Sequence, residues 1–521
     1  MLKKIDNLFA CAYLTILLCI YPFYVQDGYV NIGEAKNRFF LYVSIAAFAI
    51  FIICGLAHLV FFLREKGSGR RPYLIEWERI SATDLFVMLY ATCVFWSYIL
   101  TEYRQEALWG TEGWYIGCIP LILLCGLYFM ISRMWDGGRF VLYGCMAASA
   151  AVFLLGICNR FSFYPVKFEI IQPDFISTLG NINWFCGYLA VTAPVGICLF
   201  LFWETGRSGG IWRRVLCGAY TVIAFMAGFS QGSSSVFLWF AALFLILLWI
   251  VAGRGESITD WLILVFLWGM SAQLVRLLRF LLPERYNYDL DNLCGYFTSS
   301  SFAAWVCLGA AFGFAAVRAL EKRDGWKEAV QRARVLIPVS VVLGMGMWLV
   351  LAVINTGRGI PLLQDQSLFR LGEDWGNGRG AAFRAGVEAW REMPLLHKLV
   401  GVGPDCFSRY AYSLPETAAM LRENFGQDRL CNTHNELLTE LVNTGALGVC
   451  LYAGIFISFI RGCMKTGRRN PQAYLYGVCA FCYLAHNMVS FAQVLNLPFA
   501  FVLMGMGEAV RRKTQTGGGG S

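Results

Sequence analysis

An all-α, polytopic transmembrane protein is what this sequence predicts, on three observations. Of its 521 residues 58% are hydrophobic and only 15% are charged, which is more apolar side chain than one soluble core can bury. Apolar runs of about 17–23 residues recur from one end to the other, the length a helix needs to cross a bilayer. None of them alternates residue by residue as a barrel strand would, so the expected elements are helices, which close their own backbone hydrogen bonds.

Fourteen runs fit that length: 8–24, 39–63, 84–100, 117–132, 140–157, 185–203, 214–229, 235–252, 261–282, 301–319, 335–354, 446–460, 473–490 and 497–510. The first follows Lys3 and Lys4, as a secretory signal would, but no small-residue cleavage site follows it and further runs do, so it reads as the first span. The last residues, Gly517 to Ser521, read "GGGGS" and are taken as a flexible linker, leaving 1–516 as one membrane domain.

The loops sort by charge. One set carries Arg64, Lys66, Arg70 and Arg71, then Arg133 and Arg139, then Arg207, Arg213 and Arg214, then Arg254. It continues with Lys322, Arg323, Lys327, Arg332 and Arg334, then Arg461, Lys465, Arg468 and Arg469, and ends with Arg511, Arg512 and Lys513. The alternate loops are mixed or acidic, as in "TEYRQEALWGTEGW" and "PERYNYDLDNL". The positive-inside bias therefore puts the first set and both termini in the cytoplasm. The same bias explains the net charge of +9 without a nucleic-acid partner. One loop, about 355–440, is far longer than the rest and falls outside; a loop of that length on a rigid scaffold is where function concentrates. The 19 cysteines lie mostly within apolar runs, where they act as small hydrophobes. No internal repeat or pair of broken helices is evident, which weighs against a secondary transporter.

The chemistry-bearing residues gather towards the end of the long loop. Thr433 and Glu436 have the spacing of a capping box ahead of Leu437, Leu438, Leu441 and Val442, which would place His434 and Asn435 in the first turn of a short helix. A helix N-terminus favours anions and lowers the basicity of an imidazole, so His434 is a candidate general base, or else a residue that caps and packs. His58 and His486 fall in or at the ends of spans and read as packed or hydrogen-bonded, and His397 stands beside Lys398. No two histidines have metal-ligand spacing, and the expectation is no metal and no cofactor. Upstream, Arg379 and Arg384 offer planar donor forks suited to phosphate oxygens, and Gly401 and Gly403 allow a backbone to approach a ligand. Arg391 and Glu392 read as solvated helix charges. "DLD" at Asp289–Asp291 is read chiefly as a solvated loop rather than a metal site, and Cys406 with Cys431 forms a candidate disulfide on the oxidising side.

The order Gly378, Arg379, Phe383, Pro394, Gly401, Gly403, His434, Asn435, Gly445 resembles the O-antigen ligase and Wzy-type polymerase superfamily. The motif region covers about 378–448; "LGNINWF", 179–185, is similar too, and the large outer loop before the last spans agrees. The resemblance implies a metal- and nucleotide-independent glycosyltransferase of the bacterial cytoplasmic (inner) membrane with its site facing outside. The donor would be an undecaprenyl-diphosphate-linked glycan and the acceptor a glycan, lipid, protein or wall polymer. Arginines would hold the diphosphate, Arg379 first and Arg384 second, and His434 would assist the acceptor hydroxyl, with Asn435, Gly401 and Gly403 lining the site. The chain departs from the pattern at "FSQGSSSVF", 229–237, where the family often carries an arginine; Arg276 or Arg279, near the outer end of the ninth span, is expected to supply that charge. Ligase and polymerase remain equally open, and a polysaccharide or lipid-linked-oligosaccharide transporter is the alternative from another class, with a non-catalytic receptor or scaffold behind it.

Overall fold

The computed structural model describes residues 2–64, 80–168, 172–202, 210–255, 258–288, 293–363 and 366–517. Lys66, Arg70, Arg71, Arg207, the Asp289–Asp291 pair and residues 518–521 of the expected linker lie outside the described residues. The chain is all-α and 77% helical, and each of the fourteen expected runs falls on a helix. Among the described residues, ten helices are long and apolar enough to cross a membrane: Leu2–Phe23, Ile32–Phe61, Ala82–Leu100, Arg139–Arg160, Ile182–Phe202, Val236–Arg254, Thr259–Leu281, Phe302–Leu320, Trp326–Arg358 and Gly445–Gly467. The protein is therefore multi-pass. Four expected spans are helices that fall short of that standard. Cys118–Met134 and Gln472–His486 have only 17 and 15 residues, while Gly210–Ser230 and Leu497–Gly517 include charged ends.

Helix Ile182–Phe202 is the axis of the bundle. It is apolar on every face and buried along almost its whole length, as an all-round hydrophobic helix requires. Helices Gln472–His486, Gly210–Ser230 and Arg139–Arg160 pack around it. At the rim, Phe302–Leu320 and Trp326–Arg358 are buried along little of their length, so their apolar side chains face outward, to where lipid would solvate them.

The long loop is not an open connection. It folds into helices Trp375–Glu392, Leu395–Val400, Phe407–Ala411, Pro415–Phe425 and Glu436–Asn443 over a core of its own. Ala382, Ala385 and Ala389 recur on one helical face and meet Phe407, Leu421 and Val442. This cap sits on one end of the bundle, with Tyr98 and Tyr103 packed against its core.

Two other differences from the sequence reading matter for the site. The run expected to span 473–490 stops being helical at His486, and residues 487–496 cross irregularly to the next helix, because Asn487, Ser490, Gln493 and Asn496 bring polar side chains that a spanning helix would have to bury. Next to it, "LGNINWF" forms a small antiparallel ladder, Phe175–Ile176 with Gly180–Asn181, before entering the axial helix.

Candidate functional site

Arg379 owes its position to three glycines. Gly376, Asn377 and Gly378 take φ values of 63°, 60° and 82°, a left-handed turn that glycine adopts without penalty and asparagine tolerates. Helical geometry then starts at Arg379. A Cβ on Gly380 would lie 1.8 Å from the Gly372 carbonyl oxygen, so the helix can begin there only with glycine. The Arg379 Nε donates to the carbonyl of Val489 at 3.0 Å and Nη1 to that of Gly376 at 2.6 Å. An arginine has five N–H donors, so three remain for a ligand.

His434 stands just outside its helix rather than in the first turn. The N-cap is Asn435, whose Oδ1 accepts from the Leu438 amide at 2.9 Å; Thr433 lies two residues too early and donates instead to the Asn435 carbonyl at 2.8 Å. The Glu436 carboxyl, expected to close a capping box, accepts from the Ala492 amide. Left out of the helix, His434 adopts φ 53°, with its amide donating to Asn432 Oδ1 at 2.9 Å. The imidazole stands edge-on to Phe491 at 5.2 Å between centroids, and its Nδ1 is buried without a partner among the described residues. Burial, and then the positive charge of Arg379, hold its pKa down to about 3. The ring is neutral for these reasons, not because of a helix dipole.

Both residues converge on the segment 487–494. Asn435 Nδ2 donates to Met488 O at 3.0 Å, and the Glu436 amide to Asn487 O at 2.9 Å. Tyr21 from the first span donates to Val494 O at 2.7 Å, and the Val494 amide to Trp114 O at 3.1 Å. On the far side, Ser235 Oγ lies 3.3 Å from His486 Nε2, and Ser233 donates to Asn183 Oδ1 at 2.9 Å. "LGNINWF" is thus adjacent to the "FSQGSSSVF" turn. Asn487 Nδ2, Ser490 Oγ and both polar atoms of Gln493 are buried and find no partner among the described residues, so the segment presents hydrogen-bonding capacity that these residues leave unused. Sequence reasoning placed 487–490 in a span and left 491–496 as its connection to the next; the polar residues of "HNMVSFAQVLN" were the signal that marks the segment as a whole.

The remaining candidates separate from this centre. Asn435 has its oxygen and nitrogen occupied by Leu438 and Met488, so it positions His434. Arg384 is exposed and paired with Glu373 and Glu388, with no contact to His434 or Arg379 among the described residues. Gly401 and Gly403, at φ 77° and 123°, give their amides to His397 O and Asn443 O, and a Cβ on Gly401 would meet Asn443 O at 2.1 Å. They let two turns of the cap touch, and their amides do not face a ligand. Gly445 serves the same junction against Leu399. Cys406 and Cys431 are separate thiols, not a disulfide: Cys406 turns into the cap core towards Pro404 O, and Cys431 towards Arg429 O. His58 meets Asp6 at 2.8 Å inside the bundle, and His397 pairs with Gly401 O.

Arg276 and Arg279 line a cavity of about 550 Å³ with Tyr286, Asn287, Tyr288 and Thr298. This cavity adjoins the "FSQGSSSVF" turn, since Tyr286 donates to Ser230 O and Tyr288 packs over Gly232. The arginine that grips the turn itself is Arg160, which no sequence pattern marked. Its Nε donates to Ser230 O at 3.1 Å and Nη2 to Gln231 O, and its Cζ lies 4.3 Å from the centroid of the Tyr288 ring. Among the described residues, no group of three or more His, Cys, Asp or Glu side chains is placed to hold a metal ion. No known family model matches the chain, and no curated protein matches its sequence.

Proposed function

We propose that the protein is a membrane glycosyltransferase that moves a glycan from undecaprenyl diphosphate to an acceptor on the outer face of the bacterial cytoplasmic membrane, as an O-antigen ligase or a polysaccharide polymerase does. The observation that carries this reading is the pairing of a neutral imidazole, whose Nδ1 has no hydrogen-bond partner among the described residues, with a partly buried arginine that has three N–H donors unused among them, both set against one polar segment. In the same reading the fourteen helices all span, both termini are cytoplasmic, and the cap over 355–440 is extracytoplasmic.

The chemistry follows from those two groups. The acceptor oxygen bonds to the anomeric carbon while the bond from that carbon to the diphosphate oxygen breaks, and its electron pair leaves with the diphosphate. Arg379 faces the charge that grows there, which removes the need for a metal. The acceptor proton passes to His434 and from it to solvent or the departing diphosphate. Before the donor binds, Arg379 suppresses the basicity of His434; a bound diphosphate reverses the sign of that field, so the base is strengthened when substrate is present. Arg276 and Arg279, in their separate cavity beside the turn, remain the candidates for a more distant part of the donor.

The test is to incubate purified protein with undecaprenyl-diphosphate-linked oligosaccharide and candidate acceptors and to assay free undecaprenyl diphosphate together with transferred or lengthened glycan. Turnover should fall by about 10²–10⁴ in His434→Ala, while the donor still binds. Donor translocated across vesicles without diphosphate release would replace this reading with a transporter.

A further inference from the structure

The end of the bundle away from His434 holds a second cavity, of about 410 Å³, whose lining includes Arg254, Arg334, Arg468, Trp249 and Tyr474. Helix Val236–Arg254 runs to it from Ser235, beside His486, and helix Gly445–Gly467 runs to it from the cap. Three guanidinium groups therefore meet there from three separate parts of the chain. Arg334 lies over the Trp249 ring at 5.5 Å and Arg254 over Tyr474 at 5.6 Å. Gly253 is what lets Arg334 in, because a Cβ there would lie 2.4 Å from its Nη1.

The treatment of charge is the telling feature. At the same end the fold pairs its buried cations with carboxylates: Arg133 with Asp84 at 2.8 Å and Arg511 with Glu508 at 2.6 Å. Half-buried Arg334 and exposed Arg468 have no carboxylate partner among the described residues, and no Asp or Glu among them lines the cavity. The charges of Arg334 and Arg468, gathered around one space, repel unless an anion joins them. Ile250 and Met464 complete an apolar side to the cavity, and Val335 and Leu336, next to Arg334, are exposed at 60% and 58%. Such a site suits an anion that carries its own hydrocarbon.

We propose that this cavity binds the phosphate oxyanion of an anionic phospholipid, with the headgroup among Arg254, Arg334 and Arg468 and the acyl chains along the exposed face that begins at Val335. The inference does not depend on the transfer reaction. Anionic headgroups attract juxtamembrane arginines, and a cavity that gathers three of them selects one lipid molecule rather than a diffuse surface.

The full chain in detergent is titrated with phosphatidylglycerol, phosphatidylcholine or inorganic phosphate while thermal unfolding is followed. Phosphatidylglycerol should raise the midpoint saturably, and Arg334→Gln with Arg468→Gln should weaken its apparent affinity about tenfold or more. The control is Arg461→Gln with Lys465→Gln, which removes the same charge from exposed positions at that end and should leave the affinity unchanged. Arg468 is exposed, so Arg468→Gln alone carries the test if the double variant does not fold. An equal loss in the control, or an equal shift with phosphatidylcholine, overturns the site. A shift with inorganic phosphate at the concentrations where the lipid acts overturns the lipid as its occupant.

Discussion

At the scale of single residues, the neutral state of His434 makes a prediction about pH. With its pKa held to about 3 in the free protein, the imidazole is already deprotonated throughout the working range. The profile of kcat/KM for the donor, which reports the free enzyme, should show no acid limb from this residue between about pH 5 and 8. The profile of kcat reports the occupied enzyme. There the diphosphate offsets Arg379, so the acid limb should lie at higher pH than in kcat/KM. A limb near the ordinary histidine value in kcat/KM would show that the buried ring does not govern turnover. Asn435 separates in a different way. Asn435→Ala removes both its contacts and should cost about 1 kcal/mol of stability, as loss of a helix cap does. Asn435→Asp keeps the acceptor for Leu438 but not the donor to Met488, so it should keep the thermal midpoint and lose turnover about tenfold. Unchanged turnover in that variant would reduce the Met488 contact to packing.

At the scale of elements, the glycines show how far the letters carry. Their order marks the region, but letters alone do not tell a glycine that admits a ligand from one that admits a neighbouring turn. Gly376 and Gly378 aim Arg379, whereas Gly401 and Gly445 bring two backbone turns together. Gly401→Ala should therefore destabilise the cap by about 1–3 kcal/mol or more, read as earlier thermal unfolding and faster proteolysis of the cap. The helix Glu436–Asn443 makes a second prediction. Glu436 and Glu440 are one turn apart and both buried; burial, and for Glu436 also the charge of Glu440, push their pKa values above the ordinary carboxylate range. The folded state thus keeps protons that the unfolded chain has released above about pH 4.5, so stability falls as pH rises through that window. The thermal midpoint should drop between about pH 4.5 and 8, as Glu436 and Glu440 are held up to about 8 and about 7, and drop less in Glu440→Gln, whose amide oxygen can still accept from Tyr90 or Thr444. Parallel slopes in the two proteins would mean that the pair does not titrate there.

At the scale of the whole molecule, hydropathy made the helices legible because lipid-facing and buried helices share one composition. It carried one span to 490 and did not reveal that the chain leaves the helical path after His486, since Met488 and Val489 keep the end of that run apolar while Asn487 and Ser490 bring polar side chains. Nor could it reveal that the long loop has a core of its own, which rests on alanines too small to stand out in a hydropathy profile. Orientation rests on the distribution of arginine and lysine alone, and it decides whether the cap and His434 can meet a donor displayed outside the cell. Single cysteines test it. Arg384→Cys puts a thiol on the cap at a 58% exposed position whose surface ion pairs contribute little to stability, and Arg468→Cys puts one at the opposite end. The native cap thiols give little background, because burial pushes Cys431 up to about 12 and Cys406 further in the same direction, and the thiolate is the reactive form. In intact cells stripped of their outer envelope, a membrane-impermeant maleimide should label Arg384→Cys at once and Arg468→Cys only after permeabilisation. The reverse pattern would put the cap in the cytoplasm, away from any acceptor outside the cell, and would end the proposed reaction even if the protein bound the lipid diphosphate in detergent.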